Sequence, residues 1–117
     1  MSHESPICTV DVAHPPMRPD EVEQVLLQSV STVRNTSGKE LLKIVHGYGS
    51  SGRGGSTKEV VGNWLFRHRN LHLAVIPGEE YSLFHDTVQE LRKRLGAYTD
   101  PDLITSNPGI TVVWVKK

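Results

Sequence analysis

"IVHGYGSSGRGGSTKEVVGNWL" occupies positions 44–65 and holds five of the chain's ten glycines between Gly47 and Gly55. An apolar run enters it and a helix-like pattern leaves it. A strand that passes through glycines into a helix is the joint of a βα unit, so this stretch sets the expected fold class. Ser56 and Glu59 have the spacing of a capping box, and Val60, Val61, Trp64 and Leu65 fall on one helical face that should close near His68.

The same alternation continues outward on both sides. "PICTVDV" (Pro6–Val12) reads as a strand and "AHPPMRP" interrupts it. Asp20 and Glu23 suggest a helix start, and Val22, Val25, Leu26, Val30 and Val33 carry the pattern to about Arg34. "ELLKIVH" (Glu40–His46) is the second strand and "LHLAVI" (Leu71–Ile76) the third. Ser82 could cap a further helix over 83–95 that stops at Gly96, and "ITVVWV" (Ile110–Val115) is the last strand. The expectation is a single two-layer α/β domain over residues 1–117, with a mixed four-stranded sheet and about three helices. Helical crossovers imply parallel pairing among the first three strands. No repeat or low-complexity tract occurs.

The 117 residues suffice for one core, and 37% hydrophobic residues is ordinary for a globular domain. No apolar run approaches a membrane span, and "MSHESPICTV" has neither a basic start nor a long apolar stretch, so neither membrane insertion nor secretion is expected. Cys8 is the only cysteine, which excludes an internal disulfide and a cysteine metal cluster and fits a reducing cytoplasm. The net charge of zero argues against a basic coat over the whole surface. Residues 39–69, however, hold Lys39, Lys43, Arg53, Lys58, Arg67 and Arg69 against Glu40 and Glu59, a local net of +4 around the glycines.

Three readings of the glycine stretch compete: a nucleotide loop, a nucleic-acid backbone site and a flexible connector without a ligand. "GYGSSG" matches G-x-G-x-x-G, but the helix starts four residues past the third glycine, and the nearest acidic residues, Glu79 and Glu80, come late for a ribose contact. The ATP-type phosphate loop fails because Arg53, not Gly-Lys-Ser/Thr, follows. The anion chemistry survives both rejections. Gly47, Gly49, Gly52, Gly54 and Gly55 would expose backbone N–H groups, a helix N-terminus would follow, and Arg53 and Lys58 would add full charges. Tyr48, between two glycines, could stack on a base or fold back over Gly47.

"KIVHGYGSSGRGGSTKEVVGNWL" resembles the Smr (small MutS-related) family, whose domains carry His-Gly-x-Gly at the end of the second strand. "VDV" with Asp11, ahead of "PDEVEQVL", resembles that family's first motif, Leu-Asp-Leu-His-Gly before a Glu-rich helix start. "IPGEEYSLF" and "NPGITVVWV" extend the likeness to a bacterial subgroup with a lengthened loop. The resemblance implies a fold similar to the C-terminal domain of a translation initiation factor. It also implies binding of RNA or DNA and, in several branches, endonuclease activity, a phosphodiester hydrolysis at which transient magnesium or manganese could serve. Here Ala13 stands where the family's histidine falls, with His14 one later and Pro15 in place of glycine. The resemblance therefore implies binding more directly than cleavage, and a non-catalytic module acting on RNA or the ribosome is the alternative. A binder of small anions is a third class.

The candidate catalytic residues are His46, Asp11 and His14. His46 could act as acid or base, or its ring could tie down the loop backbone. Asp11, at the end of a neighbouring strand, could orient His46 or cap the approach to the first helix. His14 could reach the same edge or be exposed loop polarity. The three could together serve a metal, but nothing in their spacing requires it. Trp64 and Trp114 fall on apolar patterns and read as core.

Overall fold

The computed structural model describes residues 6–47, 57–78 and 108–117, with 89, 90 and 93. The elements are β1 (Ile7–Asp11), α1 (Pro19–Asn35), β2 (Leu41–Val45), α2 (Thr57–Arg67), a 3-10 turn (Arg69–Leu71), β3 (His72–Pro77) and β4 (Ile110–Val115). Of the expected helix over 83–95, only 89, 90 and 93 are described, and these are helical. Its remaining length, with the Ser82 cap and Gly96 stop, lies outside the described residues, as does the Ser56 cap of α2. Among the described residues no helix is long and apolar enough to cross a membrane.

The strands form one mixed sheet in the order β1-β2-β4-β3. β1 and β2 are parallel, as the α1 crossover requires, with Asp11 opposite Val45. β4 runs antiparallel to both β2 and β3. β3 therefore points the same way as β1 and β2, but it does not pair with β2 as the crossovers suggested, because β4 occupies the place between them. The two central strands show it in their burial. β2 and β4 are buried on both faces, whereas β1 and β3 are intermittently exposed.

The cap of α1 is Arg18, two residues ahead of the expected Asp20, so Pro19, expected outside the helix, lies within it. Pro19 takes the first helical position, where its missing N–H costs nothing, and the Glu21 carboxylate accepts the backbone N–H of Arg18 at 3.1 Å. Val22, Leu26, Val30 and Val33 line one face of α1, and Val61, Trp64 and Leu65 one face of α2. Both faces pack on Leu42, Ile44, Val113 and Val115 of the sheet. The opposite sheet face carries a second cluster of Ile7, Leu41, Ile76, Ile110 and Val112, with Val45 and Trp114 packed against it. Both tryptophans thus adjoin core, Trp64 fully buried and Trp114 partly so.

Candidate nucleic-acid interface

β1 and β2 are parallel neighbours, so their C-terminal ends reach the same edge of the sheet, bringing Asp11 and His46 into the same region. Alternation then separates them. Asp11 shares the register of Val45, while His46 follows one residue later and bonds to Thr111, the partner of Ile44 on the helix-covered face.

His46 is 3% exposed. Its Nδ1 lies 2.7 Å from the carbonyl oxygen of Gly47 and its Nε2 2.8 Å from Oγ1 of Thr111. A carbonyl only accepts, so Nδ1 carries the hydrogen, and the Thr111 hydroxyl can donate to Nε2. The backbone N–H groups of His46 and Gly47 both donate to the carbonyl of Gly109, at 3.0 and 3.1 Å. Gly47 has φ of +77°, the left-handed region that favours glycine. One ring thus fixes the first residue of the glycine stretch to β4, as expected of a histidine that ties down the loop backbone.

Asp11 does not orient His46. Its carboxylate accepts the backbone N–H of Ala13 at 2.8 Å and of His14 at 3.0 Å, closing the turn after β1. The ring Nδ1 of His14 lies 3.0 Å from Asp11 Oδ2. Burial acts to raise the carboxyl pKa, but the Ala13 and His14 hydrogen bonds and the charge of His14 together hold it below its usual 3.8. His14 remains 72% exposed. Asp11 and His14 form one exposed pair, and His46 is separately buried. Among the described residues no group of three or more His, Cys, Asp or Glu is placed to hold a metal, so Asp11, His14 and His46 do not assemble the metal site weighed for them.

Of the anion-binding set, Gly47 and Lys58 are described. Tyr48, Gly49, Gly52, Arg53, Gly54 and Gly55 lie outside the described residues, as do Glu79 and Glu80. Lys58 stands in the first turn of α2. The sequence excess of positive charge does not all collect there. Lys39 precedes β2 at the far end of that strand, and Lys43 is buried on the sheet face away from the helices. Arg67 pairs with Glu23 of α1 at 2.7 Å.

Sequence reasoning missed Thr111 and Phe66, and it counted Arg69 only as part of the local charge. Thr111 binds His46 across 65 residues, a separation no local pattern reports. Phe66 was legible: Trp64, Leu65 and Phe66 are consecutive, and three successive helical positions cannot all face one core. Trp64 and Leu65 turn inward, while Phe66 is 67% exposed. No protein-family model matches the chain, and no curated protein or solved structure matches it either.

Proposed function

We propose that this domain binds nucleic acid, RNA or structured DNA, where β2 passes into the glycine-rich stretch and α2, and that it works as a binding module in the cytoplasm. The observation that carries this reading is the clamp at His46. A buried ring, bonded on both nitrogens, sets the entry to the glycines beside a helix whose first turn holds Lys58. The dipole of α2 favours a phosphate at such an entry, the glycine-rich sequence would add backbone donors beyond Gly47, and Lys58 and Arg53 supply full charges. The likeness of "HGYGSSGRGG" to the Smr loop supports the same assignment, and ribosomal RNA would meet the same surface. A buried imidazole with both nitrogens engaged is poorly placed to exchange protons with a substrate, so His46 holds the loop and does not cut.

Endonuclease activity is a second reading, favoured by the Asp11–His14 pair. A carboxylate on Nδ1 leaves Nε2 of an exposed ring directed elsewhere, the arrangement of an oriented general base. One experiment tests both. Labelled RNA and DNA are incubated with the protein, with and without magnesium or manganese, and both mobility shift and cleavage are read. The Arg53→Ala/Lys58→Ala double variant should bind more weakly, with a flatter dependence on salt. Unchanged affinity and slope would remove the loop from the surface. Displacement of nucleic acid by low concentrations of free phosphate would point to a small anion instead. Cleavage that falls ~10²–10⁴-fold in His14→Ala at unchanged affinity would promote the second reading.

A further inference from the structure

A groove of about 380 Å³ runs along α2 on the helix-covered side of β3. Leu65, Val75 and Pro77 give it apolar walls, and Lys58 and Arg69 stand along the same helix and its 3-10 extension. Its volume falls within the range of small-ligand sites. Phe66 stands on its border, and the Arg69 guanidinium lies 4.6 Å from the ring centroid while donating to the Phe66 carbonyl at 2.9 Å. Arg69 thus props one side of a ring that is still 67% exposed. Thr111 lines the groove and also bonds to His46, so the groove is joined to the glycine entry through two side chains.

Gly62 adds an independent observation. It lies inside α2 and lines the groove, where glycine weakens a helix. A Cβ at this position would meet nothing within 4 Å, and its φ is not in the left-handed region, so neither packing nor backbone conformation calls for glycine. Gly62 leaves its part of the groove wall without a side chain.

We propose that this groove takes an unpaired base of a single-stranded nucleic acid, packed on Phe66, Leu65, Val75 and Pro77, with neighbouring phosphates on Lys58 and Arg69. The charge is complementary: two cations border an apolar slot and would meet a strand whose phosphates alternate with flat apolar bases. Arg69 follows Lys58 by eleven positions along α2 and the 3-10 turn after it, roughly 16 Å between backbones at the helical rise. This exceeds the roughly 3.4 Å step between stacked nucleotides, so more than one phosphate is spanned. A duplex, with its bases already paired, has no base to give. The inference rests on the nucleic-acid reading above and narrows it to single strands.

The test measures fluorescence anisotropy of labelled single-stranded RNA, single-stranded DNA of the same sequence, and the corresponding duplexes. The wild-type chain should prefer a single strand of at least one sugar type to its duplex. Phe66→Ala should lower single-strand affinity roughly ten- to hundredfold, as loss of base–aromatic stacking does, at an unchanged salt slope. Gly62→Leu should fill the groove and give a similar loss while melting no lower than wild type. Arg69→Ala should flatten the salt slope by about one. Single strands that bind Phe66→Ala and Gly62→Leu as tightly as wild type would overturn the groove while leaving nucleic-acid binding intact. Tighter binding of duplexes would overturn it likewise. Failure of wild type to bind any of the four probes would overturn both readings.

Discussion

Two histidines bury their ring nitrogens on opposite terms. His46 has a partner for each nitrogen, so removing it leaves the Thr111 hydroxyl and the Gly47 carbonyl short of theirs. His46→Ala should cost about 1–3 kcal/mol in urea unfolding, the scale of a buried polar group left unpaired. A variant as stable as wild type would show that the ring anchors nothing. Neither ring nitrogen of His72 makes a well-formed hydrogen bond among the described residues, and the nearby backbone of Leu71 and Leu65 favours its charged form only weakly. Burial, and secondarily the nearby His68, lowers its pKa below the ordinary 6.5. The unfolded chain therefore takes the proton first as pH falls. The contribution of His72 is complete above about pH 6.5 and is lost progressively below it. Wild type should lose more stability between pH 7.5 and 5.5 than His72→Gln, and equal losses would rule out His72 as the source. The sequence placed His46 at a strand end correctly. It could not supply the partner, because Asp11, the partner expected, and Thr111, the partner found, are both distant in sequence, and only the strand order and side-chain alternation decide between them.

At the level of elements, the helices were legible where burial repeats and unclear where it ends. The spacing of Val22, Leu26, Val30 and Val33 is itself the buried face of α1. The start was misread because Asp20 and Glu23 imitate a cap that Arg18 and Glu21 provide. α2 contains the informative violation. Gly62 sits in an 11-residue helix without a packing reason, so Gly62→Ala should raise stability by about 0.5–1 kcal/mol. Thermal denaturation checks this, and a lower melting temperature would mean that the position is constrained after all. The gain would come from the helix alone, so it is separable from any effect on binding.

For the whole molecule, the alternation of strands and helices established an α/β domain, and the α1 crossover established the β1–β2 pair. Neither could reveal that β4 inserts between β2 and β3, since that pairing joins residues far apart in sequence. The same limit explains the charge. Lys39, Lys43 and Lys58 are close in the chain, but β2 puts the first at the other end of the sheet and the second on its other face. Because β4 alone joins β3 to the remaining strands, deleting residues 110–117 should abolish the cooperative unfolding transition seen by circular dichroism, whereas trimming only Lys116 and Lys117 should preserve it. A sharp transition in the shorter chain would mean that the β1–α1–β2 unit is stable by itself.

The central place of β4 also has a consequence in time. Translation delivers the chain from its N-terminus, so β2 emerges with one side unpaired and β3 follows with no neighbour to receive it. Seventy residues separate the end of β2 from the end of β4. At roughly 5–20 residues per second this is a wait of about 4–14 s. Throughout that interval the nascent protein presents "LLKIV" as an open edge, the kind of segment that recruits a neighbouring polypeptide. Lys43 is the one charged residue within that segment to oppose it.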